Sequence, residues 1–350
     1  MSGKPRLSMQ HAALLRSAGR AIARAAARRL RNGPTHPNWP WLYEFTAAFM
    51  RTAAIDFEPL AIAWARGQVS PTPITLRRKL RLDISEVAGV RVDRFRAPRA
   101  RGDEPTVLYI HGGGYVTCSP ASHRDSTARI AHVAGARVIA PYYRLAPEHP
   151  FPAALEDVLR VYRALLQQGT PPERLVIGGD SAGGGLALAL MLRLREEGVT
   201  LPRAAFLISP WVDLSVTREL LENTAPHDYL GAEVTFENGR AYAGMEPLTN
   251  PLISPALADL AGLPPLLVQS GEWELLNEQH HRFVARARAA GVDVQLEQAP
   301  GMLHAYTCFA GVVPAGRAAL ASIGQFVRQQ TASPVRTLNT GVELASADVA

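Results

Sequence analysis

The sequence predicts an α/β protein, in which a mostly parallel central sheet is flanked by helices and extra helical material lies at one end. Three observations predict it. From residue 106 to 329, short apolar runs alternate with helical patterns, the rhythm of strands buried between two layers of helix. One of those runs, Leu175-Val176-Ile177, turns sharply through small residues into the Ala- and Leu-rich helical stretch Leu186–Leu194. The interval Leu214–Pro264 breaks the rhythm: it is long, contains Gly, Pro and acidic residues, and reads as helical lid material.

Composition narrows the class. A chain of 350 residues can bury a large core, as one big domain or two smaller ones. At 47% hydrophobic and 19% charged residues it reads as an ordinary globular protein. No run approaches the ~20 apolar residues of a membrane span, and the N-terminus lacks the apolar core and cleavage site of a secretory signal. The two cysteines, Cys118 and Cys308, can build neither a disulfide framework nor a C-x-x-C zinc site, so a reducing, cytoplasmic location is expected. The net charge of +6 is unevenly placed. Residues 1–101 carry 19 Lys and Arg against 6 Asp and Glu, whereas the remainder carries 18 against 25. The basic excess therefore belongs to the N-terminal segment, and no nucleic-acid partner is expected.

Residues 8–31 read as an amphipathic helix with Arg16, Arg20, Arg24, Arg28 and Arg31 on one side and Leu14, Leu15, Ala18, Ile22 and Ala25 on the other. A membrane-surface helix or a transit peptide would show such a stripe. Arg29 interrupts the apolar face and bulky aromatic anchors are missing, so a cap helix laid on the protein body is preferred and no stable membrane insertion is expected. Asn32-Gly33-Pro34 ends it, and a second helix is expected from Trp41 to about Trp64. Val90–Phe95 alternates apolar and charged residues as an edge strand should. Strands are expected at Thr106–Ile110, Arg137–Tyr142, Leu175–Ile177, Ala204–Ser209, Pro265–Ser270 and Val292–Glu297, with helices at Ser122–Val133, Phe151–Gln168, Glu278–Ala290 and Gly316–Gln329. Residues 331–350 lack periodicity and read as a flexible tail.

Gly179-Asp180-Ser181-Ala182-Gly183 sits at the strand-to-helix turn. Small neighbours let a serine occupy so tight a turn, with its hydroxyl lifted out of the sheet and a helix N-terminus aimed at the same place. A serine nucleophile needs a base, an acid to orient the base, and donors for the oxyanion. In a doubly wound sheet these belong on loops after the strands' C-terminal ends. The run Pro265–Ser270 leads into Gly271-Glu272-Trp273-Glu274, and Val292–Glu297 leads into Pro300-Gly301-Met302-Leu303-His304. The order is thus serine, carboxylate, histidine. His304 is the candidate base. Glu272, Glu274 and Glu278 are all candidate acids, and Glu274 is preferred because it lies far enough past the strand to point back across the site. Three glycines in His111-Gly112-Gly113-Gly114-Tyr115 expose backbone N–H groups that, with that of Ala182, suit a developing oxyanion. A phosphate loop fits poorly, since no Lys-Ser/Thr follows the glycines.

His111-Gly112-Gly113-Gly114-Tyr115, the run Tyr143–Ala154 and Gly179–Gly184 together resemble the hormone-sensitive-lipase-like serine esterases of the α/β-hydrolase superfamily. Ser209-Pro210-Trp211-Val212-Asp213-Leu214 and Gly301-Met302-Leu303-His304 fit the same pattern, which runs from about residue 85 to 330. The resemblance implies the α/β-hydrolase fold with a helical cap built from the N-terminus and an insert after Asp213. It implies hydrolysis of carboxylic esters through a serine acyl-enzyme, with no cofactor and no metal, and oxyanion donors at Gly113, Gly114 and Ala182. Lactones, acetyl groups or a non-catalytic receptor role are the alternatives, the last disfavoured because His304 is present. Two departures stand out: Glu274 where the family usually has Asp, and Cys118 where a glycine is common. Tyr115, Trp211 and Trp273 are the candidate pocket residues, while Arg144, Glu148 and Asp213 read as structural charges, in buried ion pairs and turns that hold the oxyanion loop and the lid base. The expected organisation is a cap segment over 1–84, a catalytic domain over 85–330 with its lid at about 214–264, and a tail over 331–350. The expected partner is a small ester or lactone, and the expected state a monomer or homodimer.

Overall fold

The structure, a computed structural model, describes residues 9–53, 66–97, 103–222 and 228–332. The strands are β1 (Arg81–Val87), β2 (Val90–Arg96), β3 (Thr106–Ile110), β4 (Arg137–Pro141), β5 (Leu175–Asp180), β6 (Ala204–Ile208), β7 (Leu266–Gly271) and β8 (Val294–Ala299). Among the described residues they form one eight-stranded sheet in the order β1-β2-β4-β3-β5-β6-β7-β8. β1–β2 and β2–β4 pair antiparallel; every other pair is parallel. The expected rhythm is therefore present, with one correction. Val90–Phe95 is not the edge: β2 lies between β1 and β4. The true edge, Arg81-Leu-Asp-Ile-Ser-Glu-Val, carries enough charge to hide its alternation, and charge is how exposed edges resist further pairing. Arg96 bonds Asp83 across that edge pair, and Arg81 bonds it along β1 itself. The expected boundary between residues 84 and 85 falls inside β1.

The helices, in chain order, are α1 (Met9–Asn32), α2 (Trp41–Ala53), α3 (Arg124–Ala134), α4 (Ala153–Gln167), α5 (Ala182–Glu196), α6 (Arg218–Glu222), α7 (Ala232–Ala243), α8 (Asn277–Ala289) and α9 (Pro314–Thr331). Side chains alternate across a strand, so each central strand feeds two cores. Leu108, Ile177, Leu207 and Val268 pack with α4, α5 and α8. Val107, Tyr109, Val176, Phe206 and Leu267 face α3 and α9. α5 is buried along nearly its whole length, which is why its sequence is apolar all round.

A third cluster joins α2 to the C-terminal end of the sheet. Trp39, Tyr43 and Ala47 pack with Tyr229, Met302, Leu303 and Tyr306. α1 lies on α2. Arg28 and Arg29 both pair with buried Glu44, and the Arg29 guanidinium sits 4.7 Å from the Trp41 ring centroid. The arginine that interrupted the apolar stripe is thus turned inward. The expected continuation of α2 to Trp64 and the tail beyond 332 lie outside the described residues, as do residues 223–227 of the insert.

Candidate active site

Ser181 joins β5 to α5 with φ 52° and ψ −123°, a left-handed strain that a non-glycine residue accepts only where its surroundings fix it. The fixing bonds are present. Ser181 N–H donates to Ile208 (2.8 Å), and its carbonyl accepts from Gly184, Gly185 and Trp211. A Cβ on Gly183 would lie 2.1 Å from the Ile110 carbonyl oxygen, so only glycine lets α5 pass the end of β3. Ala182 opens α5, and the N–H of a first helical residue has no carbonyl one turn earlier to bond.

The glycine loop after β3 holds its shape through the Gly113 carbonyl, which accepts from the N–H groups of Val116 (3.1 Å) and Thr117 (2.8 Å). Gly113 adopts φ 111°, and a Cβ there would meet the Thr117 oxygen at 2.3 Å. Tyr115 and Cys118 also have positive φ, at 64° and 67°. At Cys118 this accounts for a position where glycine is the easy choice. Burial pushes the Cys118 thiol up, away from reactivity.

Asp180, just before the serine, carries no signal in the motif beyond its small neighbours, yet it props the glycine loop. Its buried carboxylate accepts from Tyr109 Oη–H (2.7 Å) and Gly112 N–H (3.0 Å), with His123 Nε2 at 3.3 Å. Burial would raise this carboxyl, but His123 and the Tyr109 hydroxyl outweigh it and hold it low. Burial likewise pulls His123 down, and Asp180 more than restores it. His111 is pushed to about 3 by burial and by His123, so it is a neutral ring, stacked on Tyr143 at 4.3 Å.

After β7, Glu274 turns back into the protein, almost wholly buried. Its Oε2 faces His304 Nδ1 at 2.8 Å. Its Oε1 accepts from Gly271 N–H (2.7 Å) and Ser270 Oγ–H (2.9 Å), with His280 Nδ1 at 3.4 Å. Burial opposes the charge, but the two histidines hold the carboxyl well below the carboxylate range. Burial pulls the His304 imidazole down; the hydrogen bond and charge of Glu274, with Asp228 and Asp180 behind, turn the net effect upward. His304 Nε2, the other ring nitrogen, is buried and bonds no described protein atom, the Ser181 hydroxyl included. Such bonds are often open before substrate arrives. Glu272 instead accepts from Gly301 N–H (2.8 Å), and Glu278 pairs with Arg282 on the exposed face of α8.

The remaining candidates divide. Tyr115 and Trp211 are buried, Tyr115 stacking on Tyr242 at 3.7 Å and lying 5.9 Å from the Trp211 ring. Trp273 packs against His36 and Trp39 of the N-terminal segment. Arg144 pairs with buried Asp157, and Asp213 accepts from Ser215 in a turn. Glu148 is not buried as expected. It is exposed and holds Arg66, whose guanidinium also binds the carbonyls of Val116 and Ala146 behind the glycine loop. Asp228, Ser270 and His280 went unread, because nothing in their spacing marks them.

The profile of the α/β-hydrolase fold matches residues 107–308. An acetyl-hydrolase of Streptomyces hygroscopicus is 44% identical over 241 residues, 66% of this chain and 78% of that protein. An esterase of Acinetobacter venetianus is 33% identical over 297 residues, 82% of this chain and 96% of that one. Among solved structures, EstE5 soaked with p-nitrophenyl butyrate has a TM-score of 0.74 at 32% identity, covering 89% of this chain and 99% of its own. An esterase from the bacterial hormone-sensitive lipase family has a TM-score of 0.72 at 37% identity, covering 95% and 100%.

Proposed function

The chain belongs to the hormone-sensitive-lipase-like esterases of the α/β-hydrolase fold and hydrolyses carboxylic esters, and on that premise we propose that Ser181, His304 and Glu274 are its nucleophile, base and acid. The observation that carries this reading is the 2.8 Å contact of Glu274 with His304 Nδ1, which leaves Nε2 buried and unpartnered. Ser181 Oγ attacks the ester carbonyl while His304 Nε2 takes its proton. The oxyanion is held by the N–H groups of Gly113, Gly114 and Ala182. Collapse expels the alcohol, which receives the proton from His304. A water deprotonated by His304 then releases the acid and restores the serine. Glu274 keeps Nδ1 protonated and stabilises the imidazolium throughout.

The substrate class within this activity is small or medium acyl esters. Two relatives support it, the acetyl-hydrolase of Streptomyces hygroscopicus and the EstE5 structure soaked with p-nitrophenyl butyrate. Lactones are the runner-up. The cap is proposed to comprise the N-terminal segment and the 214–264 insert, supported by the contacts of Trp39, Tyr43 and Tyr229 with the loop that bears His304. Among the described residues no helix is long and apolar enough to cross a membrane. A cytoplasmic location is proposed, supported by two free thiols. A panel of p-nitrophenyl esters from acetate to dodecanoate, run beside several lactones, tests the substrate class. A kcat/KM maximum at long chains, or on lactones, overturns it.

A further inference from the structure

Resting on the assignment of Glu274 and His304 above, we propose that Asp228, from the insert after β6, is a positioning residue for ester hydrolysis: its carboxylate ties the loop of the acid to the loop of the base and sets negative charge beside the imidazolium. The side chain is 3% exposed. Its Oδ2 accepts from the N–H of Leu275, the residue after Glu274, at 2.7 Å. Its Oδ1 accepts from the N–H of Tyr229 (2.8 Å) and of His304 itself (3.3 Å). Tyr229 completes the clamp: its hydroxyl donates to the His304 carbonyl at 2.8 Å, and its ring meets the imidazole edge-on at 6.1 Å. Both backbone groups of His304 are therefore held by two adjacent residues of the insert. Three backbone donors converging on one carboxylate need an acceptor with two oxygens, which an amide cannot supply.

Charge makes this more than a brace. Asp228 faces His304 and Glu274 from the loops after β8 and β7, and Arg51 and Tyr43 from α2, with Tyr229 beside it. His304 in turn feels Glu274, Asp228 and Asp180. Burial pushes the Asp228 carboxyl up to about 6, although His304 and the Leu275 N–H pull the other way. It is ionised at neutral pH, where the base must work.

Asp228→Asn in the full chain, assayed with p-nitrophenyl butyrate, tests this. The expected result is a kcat lower by about 10- to 100-fold, the scale of a small misplacement of a reacting group, with KM within about threefold. The acid limb of the kcat/KM profile is expected to move to lower pH, and an NMR titration of the His304 ring is expected to move with it, independently of turnover. Tyr229→Phe, which keeps the carboxylate, is expected to lower kcat several-fold without moving the limb. Should Asp228→Asn fail to fold, an unchanged kcat in Tyr229→Phe, which cuts the other half of the clamp on His304, overturns the proposal. A folded Asp228→Asn with unchanged kcat and unchanged acid limb overturns it as well. Near-wild-type activity in His304→Ala would instead remove the assignment on which it rests.

Discussion

Replacing Glu274 by glutamine separates charge from shape at the acid position. The side chain keeps its volume, so the effect follows from which end of the amide faces which neighbour. At the Oε1 position two donors converge, Gly271 N–H at 2.7 Å and the Ser270 hydroxyl at 2.9 Å. The backbone donor cannot turn away, so the amide oxygen stays there and the NH2 group takes the place of Oε2, 2.8 Å from His304 Nδ1. Nδ1 must then accept, the ring proton moves to Nε2, and the base presents a donor to Ser181. Flipping the amide would leave the buried Gly271 N–H unpaired at a cost of about 1–3 kcal/mol, so the productive tautomer is a minority of about one in five to one in a hundred. That minority also lacks the carboxylate, a charged hydrogen bond of about 1.5–3 kcal/mol, a further ten- to hundredfold. Together kcat is expected to fall by about 10²–10⁴ with KM little changed. Steady-state kinetics on p-nitrophenyl butyrate, with circular dichroism to check the fold, reads this directly. A kcat within fivefold of wild type, or a larger loss in Glu272→Gln, would refute the reasoning.

Ser181→Ala and His304→Ala are each expected to lower kcat by about 10⁴–10⁶ without unfolding the protein, read by the same assay and a thermal melt. Gly113→Ala places a Cβ 2.3 Å from the Thr117 oxygen at a φ of 111°, so the loop must move. The loss of an oxyanion donor is expected to cost about 10²–10³ in kcat, and an unchanged kcat would remove Gly113 from that role. Activity should be full above the His304 pKa, which lies above the free-imidazole 6.5, and fall as pH drops through it. Stability should run the other way. The lowered Glu274 contributes above its unfolded value of 4.5, and the raised His304 contributes fully below 6.5 and is lost as pH rises through its folded value. The pair should therefore add most to Tm between about 4.5 and 6.5, and the Tm deficit of His304→Ala should be largest there. A deficit that grows above pH 8 would contradict that window.

The order of strands and helices was legible because the central strands are short apolar runs that alternate regularly with longer helical patterns. Ser181 and His304 were legible as candidates because each follows a strand at the end where a ligand binds, Ser181 the apolar run of β5 and His304 the alternating β8. β1 was not, since its apolar face holds only Leu82 and Ile84 before Glu86 falls on the same side and breaks the alternation. Glu274 was separable from Glu272 only in part, because both leave the same strand, and it is the backbone of Gly301 that claims one and His304 the other. Asp180, Asp228 and His280 act by meeting backbone groups and rings from distant segments. Such meetings have no period and no motif, and only the folded chain brings them together.

The N-terminal segment is bolted to the same loop that carries His304: the Trp39 indole N–H donates to the Gly301 carbonyl at 2.8 Å, and the Tyr43 hydroxyl accepts from Leu303 N–H at 3.2 Å. On the proposed assignment, swapping this segment between relatives to alter what the enzyme admits also loosens the anchorage of its proton carrier. Selectivity and turnover would then be inherited together, and an engineer who trims or grafts the leading helices should expect to re-tune both.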